Sequence, residues 1–73
     1  MTRPSEYGPY TKDGITVTVW MAGYGLWEFY ATRGGMYKYG TVEADNRIEA
    51  WNLAYDEARR SMWTAEEILE REG

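Results

Sequence analysis

With 73 residues, a net charge of −4, no cysteine and no histidine, the chain is long enough for one domain and too short for two. The missing cysteines exclude a disulfide framework and thiolate metal sites, and the missing histidines remove the commonest general base and metal-binding imidazole. Four tryptophans, seven tyrosines and one phenylalanine take the place of such staples, since each ring can cover roughly 150–250 Å².

The charge is unevenly placed. Residues 1–42 carry three acids and four bases, whereas residues 43–73 carry nine acids and four bases. A polyanion is held mainly by Lys and Arg facing its phosphates, so an acidic C-terminal half counts against a general nucleic-acid binder. No stretch approaches the ~20 apolar residues of a bilayer span. The opening residues Met1-Thr2-Arg3-Pro4-Ser5-Glu6 lack the apolar run of a signal peptide. The expectation is a cytoplasmic protein with no membrane partner.

Residues 1–13 contain Pro4, Gly8 and Pro9 without periodicity and read as a flexible arm ending near Lys12-Asp13-Gly14, with residues 14–73 as a single domain. From Ile15 to Met21 the alternation is strict. Ile15, Val17, Val19 and Met21 take one face, and Thr16, Thr18 and Trp20 the other, which predicts a half-buried strand. Ala22-Gly23-Tyr24-Gly25 supplies a reversal, and Leu26 to Thr32 alternates again with Trp27, Phe29 and Ala31 together. Gly34-Gly35 then suits a two-residue hairpin with positive φ at both positions, followed by a third strand from Met36 to Glu43.

A two-residue loop at Gly34-Gly35 sets Arg33 opposite Met36, Tyr30 opposite Tyr39, Phe29 opposite Gly40 and Trp27 opposite Val42. In the first hairpin only an even register puts the apolar side of the first strand beside Trp27 and Phe29, and a three-residue loop with a glycine bulge achieves it. One face then carries Ile15, Val17, Val19, Trp27, Phe29, Ala31 and Val42. The other carries Thr16, Thr18, Trp20, Glu28, Tyr30, Thr32, Tyr37, Tyr39 and Thr41.

Asp45 or Asn46 can cap a helix that runs to about Met62, with Ile48, Trp51, Ala54, Tyr55, Ala58 and Met62 in one sector facing the sheet. Gly40 leaves a shallow place for a helix ring such as Trp51. Beyond Trp63, a capping box of Thr64 with Glu67 and a staple of Trp63 with Ile68 predict a short helix from Ala65 to about Glu70. The expected fold is therefore α+β in two layers: a three-stranded antiparallel meander, one long helix on one face and a short C-terminal helix.

No motif supports catalysis, a cofactor or a metal. The glycine-rich turns lack the Lys-Ser/Thr of a phosphate loop, and the pairs Asp56-Glu57 and Glu66-Glu67 fall on exposed helix positions. Two candidate binding surfaces remain. The first is the uncovered sheet face with Trp20, Glu28, Tyr30, Tyr37 and Tyr39, where a contiguous aromatic patch marks an interaction site. Base stacking would need a cationic groove there, but Lys38 is assigned to the other face.

The second surface is the acidic helix, where Glu49, Asp56 and Glu57 can steer a basic partner, while Asp56 with Arg60 and Glu67 with Arg71 make i,i+4 support pairs. The expectation is a non-catalytic module that docks acidic helices and sheet rings on a basic protein. Self-association through Trp20, Tyr30 and Tyr39 is the alternative, and nucleic-acid binding the third.

Three antiparallel strands followed by a helix resemble, in topology, the later part of double-stranded-RNA-binding domains. Those domains place a basic cluster at the start of the final helix, where this chain has Glu43-Ala44-Asp45-Asn46-Arg47-Ile48-Glu49, and their leading helix has no counterpart here, so their function is not carried over. A small acidic domain without cysteine or histidine is also similar in type to the accessory inhibitors of phages and mobile elements, anti-CRISPR and other anti-defence proteins among them. That likeness implies a stoichiometric inhibitor.

Overall fold

The computed structural model describes residues 5–62, which form β1 (Tyr7–Lys12), β2 (Ile15–Gly23), β3 (Leu26–Arg33), β4 (Met36–Glu43) and α1 (Arg47–Met62). The strands make one antiparallel sheet in the order β1-β2-β3-β4, and α1 lies across one face, chiefly over β2, β3 and β4. The α+β class is as expected, but the sheet has four strands where three were predicted. The expected short helix over Ala65–Glu70 lies outside the described residues.

The extra strand comes from the segment read as an arm. Asp13 and Gly14, at φ 53° and 80°, form the two-residue turn with positive φ at both centres that suits the twist of a hairpin. Lys12 thereby pairs with Ile15, Thr11 with Thr16 and Tyr10 with Val17. The ladder then shifts, and Tyr7 pairs with Val19, leaving Gly8 and Pro9 opposite Thr18 alone. This bulge hides the strand from a period-two reading: it reverses the parity of the chain, so Tyr7 and Tyr10 share the helix side although three residues apart. Pro9 is tolerated because it sits at a bulge of an edge strand.

Gly8 is there for space as well as for its φ of 110°. A Cβ at this position would stand 2.6 Å from the Val17 carbonyl oxygen.

The other two hairpins keep the predicted registers with different turn details. Every pair from Leu26↔Glu43 to Arg33↔Met36 is in step, so Tyr30 does face Tyr39, and Gly34 alone takes positive φ (59°). Between β2 and β3 the register is even, from Thr16↔Thr32 to Met21↔Trp27. The reversal is a two-residue turn at Tyr24-Gly25 with Ala22 as the bulged residue, in place of the expected three-residue loop.

The core follows from these registers. Ile15, Val17, Val19, Phe29 and Ala31 are fully buried against Ala50, Trp51, Ala54, Tyr55, Ala58 and Met62, with Trp27 and Ala44 closing one end. Two expectations are corrected here. Ile48 is 57% exposed and Ala50 is buried in its stead, because a small side chain lets the helix approach a sheet already filled by large rings. Phe29's own ring lies over Gly40, where a Cβ would meet its Cε2 at 2.7 Å; the space assigned to Trp51 is thus filled from within the sheet. Met21 keeps its place on the apolar face, opposite Trp27, but lies at the end of that face beside the Ala22 bulge and stays 41% exposed.

Trp51 instead reaches β2, where its indole N–H donates to the Val17 carbonyl oxygen at 2.8 Å. Val17, paired with Tyr10, borders the β1 bulge, so the indole supplies a partner beside the point where the ladder is irregular. At the helix start Asn46 Oδ1 accepts from the Glu49 N–H at 2.9 Å, and Glu49 Oε1 accepts from the Asp45 N–H at 3.2 Å, which satisfies two donors by the capping logic expected at Asp45-Asn46. Arg33 Nη1 donates to the Met62 carbonyl at 3.2 Å at the other end, where a cation favours the negative pole of the helix.

Candidate functional site

The face of the sheet opposite α1 carries three tyrosines in mutual contact. Tyr30 on β3 stands opposite Tyr39 on β4 with ring centroids 4.7 Å apart, and Tyr37 lies 6.3 Å from each of them. The spacing is set by the hairpin register, because directly opposed residues share a face and every second residue along β4 returns to it. Tyr37 and Tyr39 are 67% and 61% exposed, while Tyr30 is half-buried between them. The rings form a continuous, outward-looking patch.

The remaining members of the predicted patch behave differently. Trp20 and Glu28 are paired across β2 and β3, and the indole N–H donates to Glu28 Oε2 at 2.8 Å. Trp20 is 8% exposed and outside the main core cluster, so its ring presents little surface to a partner. Glu28 is exposed and places a carboxylate beside the tyrosines. Around them run Thr16, Thr18, Thr32 and Thr41, with Thr11 and Thr16 joined through their hydroxyls at 2.7 Å.

Among the described residues no Lys or Arg belongs to this face. Lys38 alternates to the helix side opposite Ala31, Arg33 bonds the end of α1, Lys12 lies over the Tyr55 ring at 5.0 Å, and Arg47, Arg59 and Arg60 are on the helix.

The acidic positions Glu49, Asp56 and Glu57 are all exposed on α1. Glu49 is committed to the helix start by the two bonds already given. Arg60 meets Asp56 through its main-chain oxygen, Nε to O at 3.4 Å, in place of the expected carboxylate pairing. Because α1 covers the face opposite the tyrosines, one flat contact cannot include both predicted surfaces. The joint docking expected from the sequence is thereby divided into two separate faces.

A third surface was not foreseen. Between β1 and α1 lies a cleft of about 250 Å³ lined by Tyr7, Tyr10, Ile48, Trp51 and Asn52. Tyr7 and Tyr10 meet edge to face at 4.8 Å, and the Arg47 guanidinium lies over Tyr7 at 5.5 Å. Only the Asp13-Gly14 dipeptide, a strong hairpin signal, could have drawn these tyrosines to the helix in advance.

Nearby, Tyr55 stacks on Trp51 at 5.6 Å and donates its hydroxyl proton to Asp13 Oδ2. Burial pushes the Tyr55 phenol above its ordinary value; the bond to Asp13 and that carboxylate's charge push the same way, and Arg59 partly opposes them. A phenol held neutral in this way is a structural donor that ties the first turn to the helix.

Among the described residues no group of acidic side chains is arranged to hold a metal, and no helix is long and apolar enough to cross a membrane. No family model matches the chain, and no curated protein or solved structure is significantly similar to it.

Proposed function

We propose that this chain is a non-catalytic protein-binding module whose contact surface is the open sheet face centred on Tyr30, Tyr37 and Tyr39. The observation that supports it is a patch of three touching tyrosines on the side of the sheet that no described element covers, the other side being the core. Aromatic rings held by a rigid sheet give large contact area with little ordering cost, which is why they dominate interface energetics.

Glu28 beside them, and the lack of any described Lys or Arg on that face, suit a partner with a basic surface and disfavour phosphate. Acting by occupation of such a surface, the domain would work as a stoichiometric inhibitor. The acidic helix, facing away, would contribute long-range steering and no direct contact.

The test is capture from the native host with three baits: the natural chain, Tyr37→Ser/Tyr39→Ser, and Glu49→Lys/Asp56→Lys/Glu57→Lys. The expected result is a protein retained by the natural chain, lost with the tyrosine variant, and captured by the charge-reversed variant with reduced yield that falls little further as salt rises. Capture that survives the tyrosine variant and fails with the helix variant would move the contact to α1 and overturn this reading.

A further inference from the structure

The two edges of the sheet are not equivalent. β1 is broken by the bulge between Tyr7 and Tyr10, and Pro9 has no N–H to offer, both recognised ways of closing an edge to further pairing. β4 is eight residues long, contains no proline, and stays in step with β3 from Met36 to Glu43. A two-residue hairpin makes its closing pair, Arg33 and Met36, a hydrogen-bonded one. By alternation Lys38, Gly40 and Val42 also turn their main-chain groups toward β3. The N–H and C=O groups of Tyr37, Tyr39, Thr41 and Glu43 therefore point outward, and no described strand lies beyond them.

We propose that β4 pairs with β4 of a second copy of this chain, antiparallel about a two-fold axis, to make one eight-stranded sheet. The occupant is argued from self-complementarity. Only even registers join outward-turned residues to outward-turned residues. The register centred on Gly40 places Tyr39 opposite the partner's Thr41 and Tyr37 opposite the partner's Glu43, and uses all four outward-turned residues of each strand. It opposes no like charges and sets the two Lys38 side chains four residues apart along the strand direction.

The helices do not collide in this arrangement. Since α1 spans β2 to β4, its axis lies near β3, and three strand spacings separate it from its twin by roughly 14 Å, beyond the usual 8–10 Å contact distance. The blocked β1 edge stops growth at two copies, giving a closed dimer and not a filament.

The edge contact is made by main-chain groups of β4, whose Tyr37 and Tyr39 side chains also belong to the tyrosine face. Thr41→Pro, which acts on the edge, and Tyr37→Ser/Tyr39→Ser, which acts on the rings, therefore tell the failure of one proposal from that of the other. The test is sedimentation equilibrium of the full chain from micromolar to millimolar concentration, combined with amide hydrogen exchange. The expected result is a monomer–dimer equilibrium in which the amides of Tyr37, Tyr39, Thr41 and Glu43 gain protection as concentration rises. Thr41→Pro removes an outward N–H that the β3 ladder does not use and should weaken the dimer about tenfold or more, since two hydrogen bonds go at once. Thr41→Val should leave the dimer intact, and thermal melts of both variants at low concentration check that the monomer still folds.

A strict monomer at millimolar concentration overturns the proposal. So does a dimer that forms without protecting those four amides, or one that Tyr37→Ser/Tyr39→Ser abolishes while Thr41→Pro leaves it unchanged.

Discussion

On the covered face of the sheet Ile15, Val17, Val19, Phe29 and Ala31 have no exposed surface, whereas on the opposite face Tyr37 and Tyr39 keep well over half of theirs. Both faces come from the same strands and the same alternation. They differ in what lies above them: a helix that presents Ala50, Ala54 and Ala58 approaches one closely, and no described element lies over the three tyrosines. In so small a domain the covered face carries the stability and the open face is free to carry recognition.

The sharpest way to break this division is to cut into each face in turn. Phe29→Ala removes the largest fully buried side chain and should cost about 3–5 kcal/mol, enough to unfold much of the population; chemical denaturation measures it. Gly8→Ala tests the rim where β1 joins the covered side. With a φ of 110° and the Val17 oxygen 2.6 Å from the new Cβ, the expected loss is about 1–3 kcal/mol. Gly14→Ala, where the Cβ meets nothing within 4 Å, should cost less than Gly8→Ala in the same assay.

Tyr37→Ser/Tyr39→Ser on the open face should cost the least, about 1 kcal/mol or less per residue from lost cross-strand ring contacts. A large loss of stability from the tyrosine pair, or a small one from Phe29→Ala, would show that the faces do not divide the work as described.

How far the sequence carries this picture differs from element to element. The meander over β2, β3 and β4 was legible because alternation in Ile15–Met21 and Leu26–Thr32 is strict and Gly34-Gly35 pins the last register residue by residue. The tyrosine patch followed directly, since a register decides which residues oppose each other. The arm that turned out to be β1 was not legible, because a bulge at Gly8-Pro9 destroys the periodicity by which strands are recognised, and the Asp13-Gly14 turn was outweighed by the proline and glycine before it.

What the residues alone determined is therefore local: which side chains of β2, β3 and β4 share a face, the register set by the Gly34-Gly35 turn, and a helix start capped from Asp45-Asn46. Only tertiary packing decided that Ala50 and not Ile48 would be buried, that Phe29 would fill the space above Gly40, that Trp20 would lose its exposure, and that the acidic helix and the tyrosines would look in opposite directions. Alternation and turn chemistry act between neighbours in the chain or across one strand pair. Which of two candidate side chains is buried, and which face an element covers, depend on volumes and distances set by residues far away in sequence.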